Sequence, residues 1–274
     1  MKQLIRIEWL KIRKYPAFWG MLGIVLLSYP AINSGFFNVY LDITRDDKTG
    51  QMIKMFLGNP FAFPEAFHTI AFFSSFFVVL PAILVIMLIT NEVQYRTHRQ
   101  NIIDGWERKD FMWGKFIDVF LVTLTITLVY FLVCLGFGLY MDPDKLDRMP
   151  EQLHYVPLFF LQSFGQLSIA FMLGYLIRKA FIAMGIFMFY TLIGENMLAG
   201  YLRYKKIPGD RFLPVEAMDQ TIVVPAFIGN FGKDGKAKYL QMLEQVPEQV
   251  VITLVYTVAI WGLCFFLHNR RDLN

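Results

Sequence analysis

The sequence predicts an all-α membrane protein, a single transmembrane domain over residues 1–274 with six transmembrane helices. Of its residues, 56% are hydrophobic and only 18% are charged, which is too apolar for an ordinary soluble domain. A helix needs roughly 20 apolar residues to cross the hydrocarbon core of a bilayer, which is about 30 Å thick. Six stretches meet this requirement: residues 17–37, 70–90, 116–140, 156–177, 180–200 and 250–268.

The segment before the first span is predicted to form an amphipathic helix in the headgroup layer. Residues 1–16 combine several aliphatic residues with basic ones, and Trp9 is suited to anchor such a helix at the interface. A targeting peptide is the alternative for so basic a start. Because no clear small-residue cleavage site follows and five more spans come later, we expect the segment to be retained as an elbow helix.

The distribution of basic residues predicts the orientation in the membrane. If the N-terminus is cytoplasmic, the segments on that side hold 14 of the 26 Lys and Arg residues and are also the shorter ones. With six spans both termini then lie in the cytoplasm, and we expect a multi-pass protein of the bacterial cytoplasmic (inner) membrane. Arg203, Lys205 and Lys206 argue against this orientation, because they directly follow the fifth span on the side that would be external.

The segments between the spans differ in length. Residues 201–249 are predicted to be an external loop, with short surface helices at 216–224 and 237–245. Another short helix is expected at 51–57, between the first and second spans. Residues 91–115 separate the second span from the third and carry five basic and four acidic side chains.

No catalytic or nucleotide-binding motif is recognisable in the sequence. Neither the nucleophile pattern G-x-S-x-G nor the zinc pattern H-E-x-x-H occurs. The stretch Gly229-Asn-Phe-Gly-Lys233 is a false phosphate-binding loop, because that loop needs a glycine in place of Phe227 and a Ser or Thr in place of Asp234. We therefore expect no cofactor in this chain, and ATP, if it is used, to be bound by another chain.

The histidines and cysteines indicate neither a metal site nor a disulfide. The cysteines fall inside predicted spans and favour a buried apolar role: Cys134 and Cys264. The histidines occur singly, which predicts isolated surface residues and no metal ligands: His68, His98, His154 and His268.

Six polar residues within the predicted spans form a candidate substrate path. Ionisable and amide side chains in a bilayer are costly and usually face a bundle interior or a watery cavity. Two interpretations stay open, a polar lining for a substrate and a hydrogen bond between Glu195 and Gln162 that joins two helices. The six residues are Glu195, Asn196, Gln162, Gln166, Ser74 and Ser75.

The charged segment 91–115 carries a recognisable pattern. It reads Glu92-x-x-x-Arg96-Thr97-x-Arg99, then Asp104-Gly105, then Arg108-x-x-Phe111-x-x-x-Lys115. This pattern resembles the cytoplasmic hinge of type-2 ABC transporter permeases, the membrane subunits of ATP-binding-cassette exporters. The start Glu8-x-x-Lys11-x-Arg13-Lys14 and the end Phe266-x-x-x-Arg270-Arg271-Asp272-Leu273 are similar to that family as well.

The resemblance implies that residues 91–115 contain a coupling helix that docks on an ATPase subunit. Arginines suit such a role because a guanidinium can pair with a partner carboxylate through two hydrogen bonds. The alternative is a solvated basic loop that only satisfies the positive-inside rule. The residues implied in ATPase coupling are Glu92, Tyr95, Arg96, Thr97, Arg99, Asp104, Gly105, Trp106, Arg108, Phe111 and Lys115.

The resemblance also implies the partners and the function. The expected partners are an ABC ATPase subunit that holds ATP and Mg, a second copy or a paralogue of the permease, and membrane lipid, with no nucleic acid. The implied function is that of a permease exporting an amphipathic, lipid-like or peptide substrate. The alternative is a mechanical transmitter that passes ATPase motion to an external or periplasmic partner. A third hypothesis, an intramembrane enzyme, lacks any catalytic constellation to support it.

Overall fold

The structure is a computed structural model, and it describes residues 2–45, 58–94, 108–207, 209–229 and 235–270. Over these ranges the regular structure is helical, with no strand. The α-helices are α1 (Lys2–Arg13), α2 (Pro16–Thr44), α3 (Ala66–Ser75), α4 (Val79–Gln94), α5 (Arg108–Met141), α6 (Tyr155–Ile177), α7 (Ala180–Phe189), α8 (Glu195–Tyr204), α9 (Pro214–Asp219), α10 (Ala226–Gly229) and α11 (Gly235–Arg270).

Among the described residues, five helices are long and apolar enough to cross a membrane, and six if one bent pair counts as a single span. The bent pair is α3 and α4, whose axes differ by 51°. Pro81 explains the break, because it has no N–H to donate to the carbonyl of Phe77 and its ring crowds that carbonyl. The predicted all-α, multi-pass membrane protein is therefore confirmed.

The fifth span is interrupted but not broken. Helices α7 and α8 are joined by one turn of π-helix at Tyr190–Gly194, and together they count as one span, Ala180–Tyr204. A π turn inserts an extra residue into the helical repeat and so rotates the residues that follow. Glu195, the first residue of α8, comes directly after this turn.

The predicted short helices between the spans need correction. Residues 51–57 lie outside the described residues. The helix expected at 216–224 is α9, which begins earlier and ends at Asp219. The helix expected at 237–245 is not separate, because α11 runs without a break for 36 residues and includes Pro247. Residues 236–246 are rich in Lys, Gln, Glu and Leu, which are good helix formers, so the change from polar to apolar sequence does not end the helix.

Helix α6 lies at the centre of the fold and packs against α4, α5, α7 and α11. Gly174 permits the close approach of α4, since a Cβ atom there would lie 2.6 Å from Ile89 Cγ2. Two aromatic contacts join three helices. The ring of Phe116 on α5 lies 5.6 Å from the ring of Phe164 on α6 and 4.9 Å from the ring of Trp261 on α11. Aromatic rings in edge-on contact at these distances stabilise such a core.

The structure tests the predictions for single histidines and cysteines. Both cysteines are buried and free, as predicted. The surface prediction is wrong for His68, which is buried, donates a hydrogen bond from Nε2 to Val223 O and stacks on Tyr155. It is also wrong for His268, which is buried beside Tyr175. An isolated histidine in the sequence can be buried when a neighbouring helix supplies a ring and a hydrogen-bond partner. His154 is exposed, and His98 lies outside the described residues.

Candidate functional site

A cluster of five charged side chains joins α1, α4 and α5, and we call it the charge cluster. Its centre is the ammonium of Lys115, which lies 2.7 Å from Glu8 Oε2, 2.7 Å from Glu92 Oε1 and 2.8 Å from Asp118 Oδ2. Lys11 completes the cluster at 2.9 Å from Glu8 Oε1 and 3.2 Å from Glu92 Oε1. Two ammonium groups and three carboxylates thus meet where three helices converge.

Most of the charge cluster is withdrawn from solvent. Lys115 and Glu8 are each 3% exposed, and Asp118 is 5% exposed. Burial alone would raise the pKa of the Glu8 carboxyl, but the ammonium groups of Lys115 and Lys11 outweigh it and lower the pKa from 4.5 to about 2. Glu8 therefore stays charged at any physiological pH, and the ion pairs persist.

Helix geometry explains how these side chains meet. Glu8 and Lys11 are three residues apart on α1, and Lys115 and Asp118 are three apart on α5, so each pair shares a helix face. Gly114 allows α1 to approach α5 closely, because a Cβ atom at that position would lie 3.1 Å from Glu8 Oε1. Gly114, the neighbour of Lys115, therefore permits the helix packing that brings the charge cluster together.

A cavity of about 230 Å³ lies beside the charge cluster. It opens between α1 and the facing ends of α4 and α5. On one wall of the cavity, a hydrogen bond from Asn91 Nδ2 to the hydroxyl oxygen of Tyr15 joins α4 to the residue directly before α2. The cavity lining combines the five residues of the charge cluster with Ile12, Lys14, Tyr15, Leu88 and Asn91.

Four of the eleven residues implied in ATPase coupling lie in the part of the chain that the structure describes. Glu92 and Lys115 belong to the charge cluster. Phe111 is buried and stacks on the ring of His268 at 5.2 Å. Arg108 begins α5. The others lie outside the described residues, and their coupling role stays a prediction: Tyr95, Arg96, Thr97, Arg99, Asp104, Gly105 and Trp106.

A second cluster, the amide cluster, joins α6 to the segment after α8. Asp219, the last residue of α9, accepts hydrogen bonds on Oδ1 from Gln162 Nε2 at 2.9 Å and from Gln166 Nε2 at 2.6 Å. Burial raises the pKa of Asp219 to about 7, against the lowering effect of the Gln162 hydrogen bond. The nearby carboxylates Glu216 and Glu195 contribute to this raised pKa.

Glu195 binds the N-terminal end of α9. Its Oε1 accepts a hydrogen bond of 2.7 Å from the backbone N–H of Glu216, one of the N–H groups in the first turn of α9 that have no partner within the helix. The carboxylate charge is also favourable at a helix N-terminus. The side chain of Glu216 pairs with Arg203, which also binds Asp210 Oδ2 at 2.8 Å. Both ends of α9 are thus bound to the spans.

The structure separates the residues of the predicted substrate path. Gln162, Gln166 and Glu195 all bind α9, but Glu195 pairs with Glu216 N–H and not with Gln162, so the pairing expected from the sequence is corrected. Ser74 instead accepts a hydrogen bond from Asn33 on α2 at 3.0 Å. Ser75 and Asn196 bond backbone carbonyls of their own helical segments, and Asn196 is exposed.

Sequence reasoning missed Asp219 and the role of α9. The available signal was Pro214, a residue favoured at the first position of a helix, followed by acidic residues at 216 and 219. The amides of Gln162 and Gln166 share one face of α6 and need a hydrogen-bond acceptor. The sequence suggested Glu195 of the fifth span as that acceptor. The acceptor lies instead in the segment treated as an external loop.

Residues 4–194 match the family model described as ABC-2 family transporter protein. The chain belongs to this family. It is therefore a permease, a multi-pass membrane subunit of an ABC transporter that works with an ABC ATPase subunit. All five residues of the charge cluster lie inside the matched region, whereas Asp219 and Glu216 lie beyond it. No curated protein and no solved structure matches the permease.

Proposed function

We propose that the permease is driven by an ATPase subunit docked on residues 91–115 and exports an amphipathic, lipid-like or peptide substrate. The observation that carries this proposal is the 2.7 Å ion pair between Glu92 and Lys115. It closes the two ends of the segment that resembles a coupling hinge. A partner that binds between those ends pushes on a segment with fixed ends, not on a loose loop.

The residues between the closed ends suit a protein partner. Arg96 and Arg99 offer guanidinium groups for carboxylates on the ATPase, and Tyr95 and Trp106 offer apolar contact. The nucleotide and its Mg belong to the ATPase. Glu92 and Lys115 contribute by holding the hinge, since their charged groups already pair within the chain.

The orientation follows from the basic residues. The hinge and both termini face the cytoplasm of a bacterium, and α1 lies in the headgroup layer as an elbow helix. Arg203, which opposed this orientation in the sequence, forms ion pairs with Asp210 and Glu216. Its charge is therefore balanced locally, and it weighs less against an external position.

An amphipathic cargo is supported by a groove of about 680 Å³ between α2 and α5. The groove is mainly apolar and carries a few polar side chains from α2, which is the composition that a lipid-like or amphipathic molecule requires. A second copy of the permease, or a paralogue, completes the transporter. The lining residues are Pro30, Ser34, Phe37, Asn38, Val129, Leu132, Val133, Gly136, Phe137 and Tyr140.

Charge reversal within the hinge tests the docking. We expect the double variant Arg96→Glu and Arg99→Glu to lose co-purification with the ATPase, because two attractive contacts become repulsive. The matched control is Arg178→Glu with Lys179→Glu, a second pair of bases that the same orientation places in the cytoplasm. If the hinge variant keeps its ATPase and the control does too, the docking assignment is wrong.

Liposomes that contain only the permease and its ATPase distinguish export from mechanical transmission. An exporter moves a fluorescent lipid or a labelled amphipathic peptide across such a bilayer when ATP is added. A transmitter hydrolyses ATP without moving either probe until an external partner is supplied. ATP-dependent movement of a probe would rule out the transmitter.

A further inference from the structure

We infer that Lys115 is a positioning residue that locks α1 to both flanks of the 91–115 hinge, so that the three elements move as one body. This inference rests on the proposed docking of the ATPase on that hinge. It assigns α1 a role in transmitting motion, in addition to any contact with lipid. It also assigns Lys115 a function inside the chain instead of at the ATPase surface.

The convergence of the charge cluster carries the inference. Lys115 binds one carboxylate from each of three elements: Glu8 from α1, Glu92 from the end of α4 and Asp118 from α5. Lys11 repeats the link between α1 and α4 by contacting both Glu8 and Glu92. Glu92 and Lys115 lie at the two ends of the 91–115 hinge, so force on the hinge acts on the ion pair between them.

The burial of these charges makes the lock stiff. Removing one partner from a buried ion pair is costly, because the remaining charge loses its compensation. Here the ammonium of Lys115, which is 3% exposed, contacts all three carboxylates, and Lys11 contacts two of them. Separating α1 from the hinge would therefore take Glu8 away from Lys115 and leave it with Lys11 alone, whereas moving all three elements together keeps every pair intact.

Two further contacts point the same way. The hydrogen bond from Asn91 to Tyr15 connects the end of α4 to the short link between α1 and α2. Gly114 brings α1 within contact distance of α5, and a side chain there would press on Glu8. The ion pairs of Lys115 thus form the main attachment of α1 to the hinge, and the contacts at Asn91 and Gly114 support it.

Hydrogen exchange in the intact permease–ATPase complex tests the inference, because it reports α1 and the hinge as separate peptides. We expect residues 95–107 to gain protection when the ATPase binds. We expect exchange in α1 to change when ATP and vanadate trap the ATPase. Glu8→Gln removes the carboxylate of α1 but leaves Lys115 paired with Glu92 and Asp118, so the ATPase stays bound while the change in α1 falls to what the longer, 3.2 Å contact of Lys11 with Glu92 transmits.

The coupling itself is read from ATP hydrolysis. In Glu8→Gln and in Lys115→Met we expect stimulation of the ATPase by the permease to fall about tenfold, within the usual range of coupling between sites. Lys115→Arg keeps the charge and should restore most of it. Lys145→Met is the matched control, since it removes an ion pair of 2.6 Å with Asp142 that is partly exposed and outside the charge cluster.

Each remaining outcome counts against the inference. If residues 95–107 gain no protection, the docking proposal fails and the inference falls with it. If they gain protection but α1 does not respond, or responds equally in Glu8→Gln, the inference alone fails. If Glu8→Gln and Lys115→Met both fail to yield a folded complex, the charge cluster serves assembly only, and its positioning role is overturned.

Discussion

The charge cluster and the amide cluster both bury carboxylates between helices, but they stabilise them in opposite ways. Glu8 lies between two ammonium groups, which lower its pKa to about 2. Asp219 has two neutral amides for partners, and burial raises its pKa to about 7. The first carboxylate is fixed as an anion, whereas the second changes its charge near neutral pH.

This difference matches the positions of the two clusters along the chain. The charge cluster flanks the hinge proposed to receive force from the ATPase, where a permanent link is needed. The amide cluster holds α9, a six-residue helix tied at both ends to the spans. A link between amides and an acid costs less to break than a buried ion pair. We therefore expect α9 to separate from the spans more readily than α1 separates from α5.

The largest difference between the clusters should appear when their central residues are removed. Lys115→Met leaves Asp118 without its ammonium partner and leaves Glu8 and Glu92 with Lys11 alone, and we expect it to lower the free energy of unfolding by about 3–5 kcal/mol. The partly exposed pair of Lys145 should matter less, with a loss of at most about 1 kcal/mol in Lys145→Met. Chemical denaturation in detergent micelles measures both. Equal losses would show that the charge cluster is no stronger than a surface pair.

The pH dependence of stability should separate the clusters next. Because the pKa of Asp219 is higher in the folded chain than the usual 3.8, its contribution to stability falls as pH rises from about 4 to about 7, by up to about 4 kcal/mol. Asp219→Asn should make that fall smaller. Glu8 behaves in reverse, since its contribution is lost only as pH drops from about 4.5 to about 2, and Glu8→Gln should remove that acid loss.

Thermal unfolding followed across this pH range, with the wild-type chain beside each variant, measures these effects. The two variants serve as controls for each other, because each should alter only one side of the profile. A profile for Asp219→Asn that falls as steeply as the wild-type profile between pH 4 and pH 7 would mean that other groups account for the whole fall. The contrast between the clusters would then be lost.

The smallest effect expected concerns Gly114. In Gly114→Ala the added methyl group would lie 3.1 Å from Glu8 Oε1, so the carboxylate must shift by a few tenths of an ångström. We expect a loss of about 1 kcal/mol, at the lower end of overpacking effects. Gly136→Ala is the control, since its Cβ atom would meet nothing within 4 Å. Equal stability of the two variants, measured by denaturation, would show that α1 has room to adjust.

The sequence predicted the spans well because their signal is local. Six apolar stretches of sufficient length correspond to the five or six spans of the structure, and the basic start corresponds to α1. The π turn before Glu195 and the bend between α3 and α4 were not predicted, since each depends on one or two backbone hydrogen bonds. Periodicity does not report such local exceptions.

The contents of the two clusters could not be predicted because they depend on contacts between distant residues. Lys115 was assigned to the ATPase surface, and nothing in the sequence shows that Glu8, 107 positions earlier, lies beside it. A hydrogen bond between Glu195 and Gln162 was one interpretation of the sequence, yet both residues bind α9, a segment treated as external. Composition identifies costly polar residues in a membrane but not their partners.

The most direct test of the account is ATP hydrolysis by the ATPase subunit in liposomes, measured alone, with the wild-type permease and with the Arg96→Glu, Arg99→Glu variant. We predict that the wild-type chain stimulates hydrolysis and that the variant, inserted in equal amount, does not. Equal stimulation by both chains would contradict the account, because the ATPase would then act on the permease at a surface other than residues 91–115.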